Sequence, residues 1–376
     1  HVGDGSMSNV VALSAIHNTA YGYQALQDLT CGNYNTAIGS GTLEALTTGY
    51  TNTAVGAYTL RCTTTGTNNT ALGVAAGCLN TTGAVNVYIG QYSGYKGTTA
   101  TRNTMVGYAA GYNFTTGQNN VALGADTLCC NTTGNNNTAV GTYSLKNATT
   151  AVRNTALGYA SQLVTTGDNN TSSGAYSLRY NTTGAANTAV GTYSSYKNTT
   201  GANNVAVGRA SMNNNTTGSN NTASGTYSLY KNTTAADNAA FGTSALQNNT
   251  TGTLNTSVGR LALYCNTTAS FNTAIGSCAL QCNTTGTANT ANGFRALASN
   301  TTANENTASG YAAMQLNTTG CENSAFGRKA MCQNTTGFNN TAVGMAALVG
   351  NSTGCYNTAV GNRALVANTA SLNTGV

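Results

Sequence analysis

A chain of 376 residues with 6% charged residues and no proline cannot rely on ions for solubility. With 40% hydrophobic residues it does not have the composition of a disordered polymer either. The net charge of +6 comes from basic residues scattered singly from Arg61 to Arg363, which gives no sign of a nucleic-acid-binding face.

No apolar run approaches the roughly eighteen residues of a membrane span, and the opening HVGDGSMSNV is not a signal peptide. A chain that begins at His1 rather than Met reads as a processed or partial product. In chain order, Asn-Thr-Ala-Val-Gly or a close variant starts at Asn18, Asn35, Asn52, Asn69, Asn86, Asn103, Asn120, Asn137 and Asn154, each 17 residues after the last. One step of 16 leads to Asn170, and the period of 17 then resumes from Asn187 to Asn357, making 21 copies. Gly5 lies one period before Gly22 and reads as the trace of a degenerate first copy, so the expected organisation is a degenerate coil over 1–17 and one continuous array over 18–376.

Each column of this internal alignment has a physical meaning. Positions 1 and 5 are Asn and Gly in all 21 copies, as at Asn137, Asn154, Gly141 and Gly158. The Gly implies positive φ or a close approach, and the Asn implies a turn amide that also bonds its neighbour in a stack. A period of 17 is too short for a helical hairpin and fits one coil of an all-β solenoid, a parallel β-roll or β-helix. "TAVG" and "YSLK" read as two short strands per coil, with "NTTG" turns between them. At about 4.8 Å per coil the array would extend on the order of 100 Å. Val140, Leu145 and their equivalents are expected to line its core. The position-3 alanines Ala139, Ala156, Ala189, Ala274 and Ala342 form a smooth stripe that would meet either the opposite wall of the coil or, as favoured here, a neighbouring chain.

Tyrosine recurs at position 7 (Tyr58, Tyr92, Tyr143, Tyr176, Tyr193, Tyr227) and at position 6 (Tyr23, Tyr108, Tyr159, Tyr311). Rings on adjacent coils would form a stabilising ladder, with a sugar-binding aromatic strip as the sharper alternative.

The stretches NTAVGTYSLKNATT and NTAVGMAALVGNSTG resemble the repeats in the left-handed parallel β-roll heads of trimeric autotransporter adhesins and in related tail-fibre proteins. The resemblance covers essentially the whole chain. It implies an extracellular, commonly trimeric fibre body that carries an adhesive surface.

Reaction chemistry is not apparent. His1 and His17 lie at the degenerate end and the eight acids are widely spaced, so neither a catalytic pair nor a metal or cofactor site is expected, and the chain reads as a non-enzyme. Among eleven cysteines, Cys265 and Cys282 both occupy position 11 one period apart and are the first disulfide candidates. Cys62 and Cys78 lie on neighbouring coils one column out of register and are the second; the competing reading is small buried residues. Position 12 creates glycosylation sequons at Asn80, Asn131, Asn181, Asn198, Asn215, Asn232, Asn249, Asn266, Asn283, Asn300, Asn317, Asn334 and Asn351. Others fall at position 17, at Asn68, Asn136, Asn220 and Asn339. Turn chemistry alone would also choose Asn and Thr there.

The leading expectation is therefore the structural, adhesive shaft of a fibre at a cell or virion surface. It would self-associate as a trimer or an end-to-end filament and could carry surface glycans, with no nucleic acid and no membrane span. The alternative is an ice- or carbohydrate-binding solenoid. It is disfavoured because the Thr pair at positions 13 and 14 is adjacent and points to opposite faces.

Overall fold

Alternation along a strand puts positions 1 and 3 of each repeat on one side and positions 2 and 4 on the other. The asparagine at position 1 decides which side is inside. A computed structural model describes residues 4–9 and 15–376, in two units, His1–Ala186 and Asn187–Val376. The first carries strands β1 (Thr19–Tyr21) to β10 (Thr171–Ser173), and the second β11 (Thr188–Val190) to β22 (Thr374–Gly375). Within each unit every strand pairs in parallel with the next, repeat against repeat, as in Ala139 opposite Ala156 and Ala274 opposite Ala291. Both units are β-solenoids, and the described residues contain no helix.

The position-1 side chain bonds in two directions. The Asn52 Nδ2 donates to Asn35 Oδ1 of the coil before (3.0 Å) and to the Gly66 carbonyl at the far end of its own coil (2.9 Å). Its Oδ1 accepts from both the backbone N–H and the Nδ2 of Asn69. This geometry recurs along both units; Asn154 likewise donates its backbone N–H to Asn137. Position 12 forms a second ladder, unbroken from Asn198 to Asn351 in the second unit, as where Asn283 Nδ2 donates to Asn266 Oδ1 (3.0 Å) and to the Gly286 carbonyl.

Between the ladders lie Ala at position 3, a small residue at position 8 and Leu or Met at position 9, all buried. The alanines therefore face the opposite wall of their own coil, which corrects the preference for a neighbouring chain. Lysine at Ala274 or Ala342 would enter the core. Leu145 is in the core as expected, but Val140 and its column point outward, because position 4 has the parity opposite to the inward Asn. The compensation at position 3 marks its true partner. Tyr88 and Met105 replace the alanine where position 9 is Gly94 and Gly111, and Gly77 in the preceding coil makes further room for Tyr88. A Cβ on Gly94 would lie 2.2 Å from the Tyr88 ring.

Each coil has one strand, not two. "YSLK" cannot extend because positions 7 and 9 are left-handed, with φ of 61° at Tyr143 and 49° at Leu145. Position 17 is left-handed as well, as at Arg153 (55°). Such residues cost about 1–2 kcal/mol each. They turn the corners while backbone bonds still run along the stack: Tyr143 N–H donates to Ala125 in the coil before, and Leu145 N–H to Ser161 in the coil after. The invariant Gly at position 5 has two reasons. Gly141 has φ 118°, and a Cβ there would meet the Gly158 carbonyl at 2.7 Å.

Two coils have 16 residues. In the coil starting at Asn154 one threonine of the turn is missing, yet Thr155 and Thr171 remain in register. The coil starting at Asn357 is the other, and it reveals a further repeat at Asn373, whose strand pairs with Thr358 and Ala359. At the other end, Met7 N–H bonds Ala25 and Asn9 N–H bonds Gln27. Residues 4–9 thus stand as positions 6–11 of a preceding coil, and Gly5 packs on Gln24 rather than in the Gly22 column. Residues 1–3 and 10–14 of the expected 1–17 coil, His1 included, lie outside the described residues.

Removing one rung should cost more than its size suggests. Asn272→Ala leaves the backbone N–H and Nδ2 of Asn289 and the Gly286 carbonyl without their partner, for a loss of about 2–4 kcal/mol. Denaturant unfolding and faster hydrogen exchange at Asn289 will report it, with the exposed Thr285→Ala as a silent control. Gly94→Leu should likewise destabilise the protein alone and be rescued by Tyr88→Ala, which restores the usual pairing of Ala with Leu.

Candidate functional site

With the interior filled, function falls to the columns that point outward. Positions 2 and 4 make a face of Thr and aliphatic or aromatic residues. In the second unit Phe241, Ile275, Phe326, Val343 and Val360 are exposed on it, Ile275 at 42%. None of the strand residues, among those described, is charged. Position 4 also accepts Ser224, Asn292 and Ser309, the sequence signal that this column meets water.

The corner at positions 6 to 11 carries the rings. Tyr143, Tyr159 and Tyr176 meet edge-on in succession at 5.8 and 5.3 Å, as the ladder reading requires. Position 10 joins in, a column the sequence reading left out: Tyr95 stacks on Tyr112 at 5.1 Å, and Tyr92 meets both. Where position 7 is Ala160 rather than Tyr, a cleft of about 330 Å³ opens between Tyr143, Tyr159, Lys146 and Arg179. Lys146 and Arg179 sit over the Tyr143 and Tyr176 rings, at 4.5 and 4.9 Å.

All eleven cysteines are free thiols. Cys265 and Cys282 are brought together at the same position of adjacent coils, close enough for Cys282 to act on the Cys265 thiol. Burial pushes the Cys265 thiol up, helped by the neighbouring Cys282. Cys62 and Cys78 are also neighbours, Cys62 N–H donating to the Cys78 carbonyl, and burial pushes the Cys78 thiol up to about 11.

The position-12 sequons read as exposed turns, and the structure corrects this. Asn80, Asn131, Asn181 and the run from Asn198 to Asn351 are buried, so a glycan on any of these amides would have to displace the interior packing. Oδ1 of Asn80 and of Asn351 lack a partner because the next coil offers Gly97 in one case and the shortened final turn in the other. Position 13 faces partly outward but spends its hydroxyl on the stack, as where Thr284 donates to the Thr301 carbonyl. Asn68, Asn136 and Asn220 at position 17 are exposed, as are Asn147 and Asn169, which open the further sequons Asn-Ala-Thr and Asn-Asn-Thr, so accessible acceptors remain. His17 stacks on Tyr34 at 5.0 Å, and the described residues include no cluster of His, Cys, Asp or Glu able to hold a metal ion.

The chain matches no protein-family model and no curated protein sequence. No helix among the described residues is long and apolar enough to cross a membrane.

The cysteine geometry has a direct test. Oxidised glutathione should join Cys265 to Cys282, seen as a linked peptide pair. The raised thiol means less thiolate at neutral pH, so the rate should climb steadily from pH 7 to pH 9.

Proposed function

We propose that this chain is the structural shaft of an extracellular fibre or filament, at a cell or virion surface, whose copies associate along the strand face. The observation that carries the reading is the in-register, uncharged and mainly apolar column of outward side chains beside threonines. Exposed apolar runs of this kind, here interrupted only at Ser224 and at Asn292 with Ser309, mark an interaction surface. In the second unit twelve strands at about 4.8 Å give a face about 55 Å long. If it is about 10 Å wide, two copies bury on the order of 1,000 Å² between them, at the lower end of stable interfaces. The resemblance of the repeats to adhesin heads and tail fibres points the same way, toward a homo-oligomeric body that presents its corners outward.

Substitution at position 4 tests the reading without touching the core. Val258→Lys, Ile275→Lys, Val343→Lys and Val360→Lys combined should keep the β-rich circular dichroism of the parent and disperse its assemblies into single chains. Sedimentation and electron micrographs measure this. A parent that already sediments as a compact monomer at high concentration would refute the shaft.

One observation favours a second reading, ice or carbohydrate binding. Thr256, Thr273, Thr290, Thr307, Ser324, Thr341, Thr358 and Thr374 form a regular hydroxyl ladder on the strand face, at position 2 rather than in the turns. A thermal hysteresis measurement separates the two, because a shaft gives none.

A further inference from the structure

The basic residues of the second unit, dispersed along the sequence, fold onto one corner. Arg209, Arg260 and Arg328 occupy position 6; Arg295, Lys329 and Arg363 occupy position 7; Lys197 and Lys231 occupy position 11. All eight are exposed. The unit's three acids, Asp237, Glu305 and Glu322, all occupy position 17, at the other end of the strand. Coil chemistry does not force this segregation. In the first unit acids enter the same corner at Asp28, Glu44 and Asp126, and Arg61 pairs with Glu44 at 2.7 Å, the sole ion pair among the described residues. The corner of the second unit therefore holds cations with no anion to answer them.

Their spacing narrows the partner. From Arg260 onward a cation recurs on every second coil, through Arg295, the Arg328 and Lys329 pair, and Arg363. Two coils are about 9.6 Å along the stack. Duplex DNA carries a charge about every 1.7 Å, far denser than this column could neutralise. The spacing is comparable with one disaccharide of an extended polysaccharide that bears one acid per disaccharide. Between the cations lies what sugar rings need: a hydroxyl and amides at Ser277, Gln281 and Gln315 on the intervening coils, and a stacked aromatic pair 5.5 Å apart, Tyr311 on an intervening coil and Phe294 beside Arg295. Near the end of the column Ala346 takes the place of a longer residue at position 7. Arg328, Lys329 and Arg363 then converge on an open cleft of about 190 Å³.

We infer that this corner binds an acidic polysaccharide lengthwise, one carboxylate per two coils. The inference rests on the extracellular, adhesive reading above and gives that surface its ligand class.

The test uses the full chain and hyaluronate oligosaccharides, which carry one carboxylate per disaccharide, with neutral dextran and single-stranded DNA of equal total charge as comparisons. Hyaluronate should bind with an affinity that falls as salt rises and grows with oligosaccharide length, and dextran should not bind. Arg295→Gln, Arg328→Gln, Lys329→Gln and Arg363→Gln combined should weaken binding at least tenfold while circular dichroism and assembly by sedimentation stay as in the parent. Glu305→Gln with Glu322→Gln should not weaken it. Absence of hyaluronate binding, equal binding by the quadruple variant, or tighter binding of DNA would overturn the inference. Because assembly is read separately, filaments that ignore hyaluronate would sink this proposal alone, and single chains that bind it would sink the shaft alone.

Discussion

The asparagine at position 1 is the constraint on which the rest depends. A primary amide has two donors and two acceptor lone pairs, and here they run up the stack, down the stack and across the coil to its last turn. No other neutral side chain of that length can do all three, so the residue does not vary. Its inward orientation then sets the parity of the strand. Alanine follows it into the interior, and threonine and valine are turned out. The thin interior follows as well, because the leucine of the far wall reaches the space that alanine leaves.

Stability in this architecture is collective. Most coils tolerate three left-handed non-glycine residues, as at Tyr143, Leu145 and Arg153, a burden that an isolated loop of this length could not bear. Apart from short turn bonds such as Ser144 N–H to Gly141 and Ala148 N–H to Leu145, the backbone bonds of the coil run to the coil before or after. The neighbour is thus as much a part of each coil's fold as its own sequence. Exceptions collect where the ladder is interrupted. Gln162, buried in place of leucine in the shortened coil, donates to Ser172 and the Thr155 carbonyl but leaves its own Oε1 unmatched.

Periodicity made the solenoid legible, and the unvarying Asn and Gly columns were read for the right physical reasons. The orientation of the strand was not, because Ala and Val are both apolar and hydropathy alone cannot tell inside from outside. The information was present in the exceptions: Tyr88 with Gly94, Met105 with Gly111, and the polar residues that position 4 accepts. The cationic corner escaped for a related reason. Along the chain Arg260, Arg295 and Arg363 look isolated, and only down the columns do they align. The second strand was lost to left-handed residues, which ordinary β propensity at Tyr and Leu does not foreshadow.

Register-perfect stacking also bears on how such a gene can change. A replication slip of one repeat inserts or deletes a whole coil and leaves both ladders closed, so array length can drift without a folding penalty. The segment around Tyr88 is different. Its ring occupies room vacated by Gly77 in one repeat and Gly94 in the next, so a duplication with its junction between them would set the tyrosine against a leucine. Those repeats must be inherited as a block, which makes them a fixed point in a sequence otherwise free to lengthen and shorten.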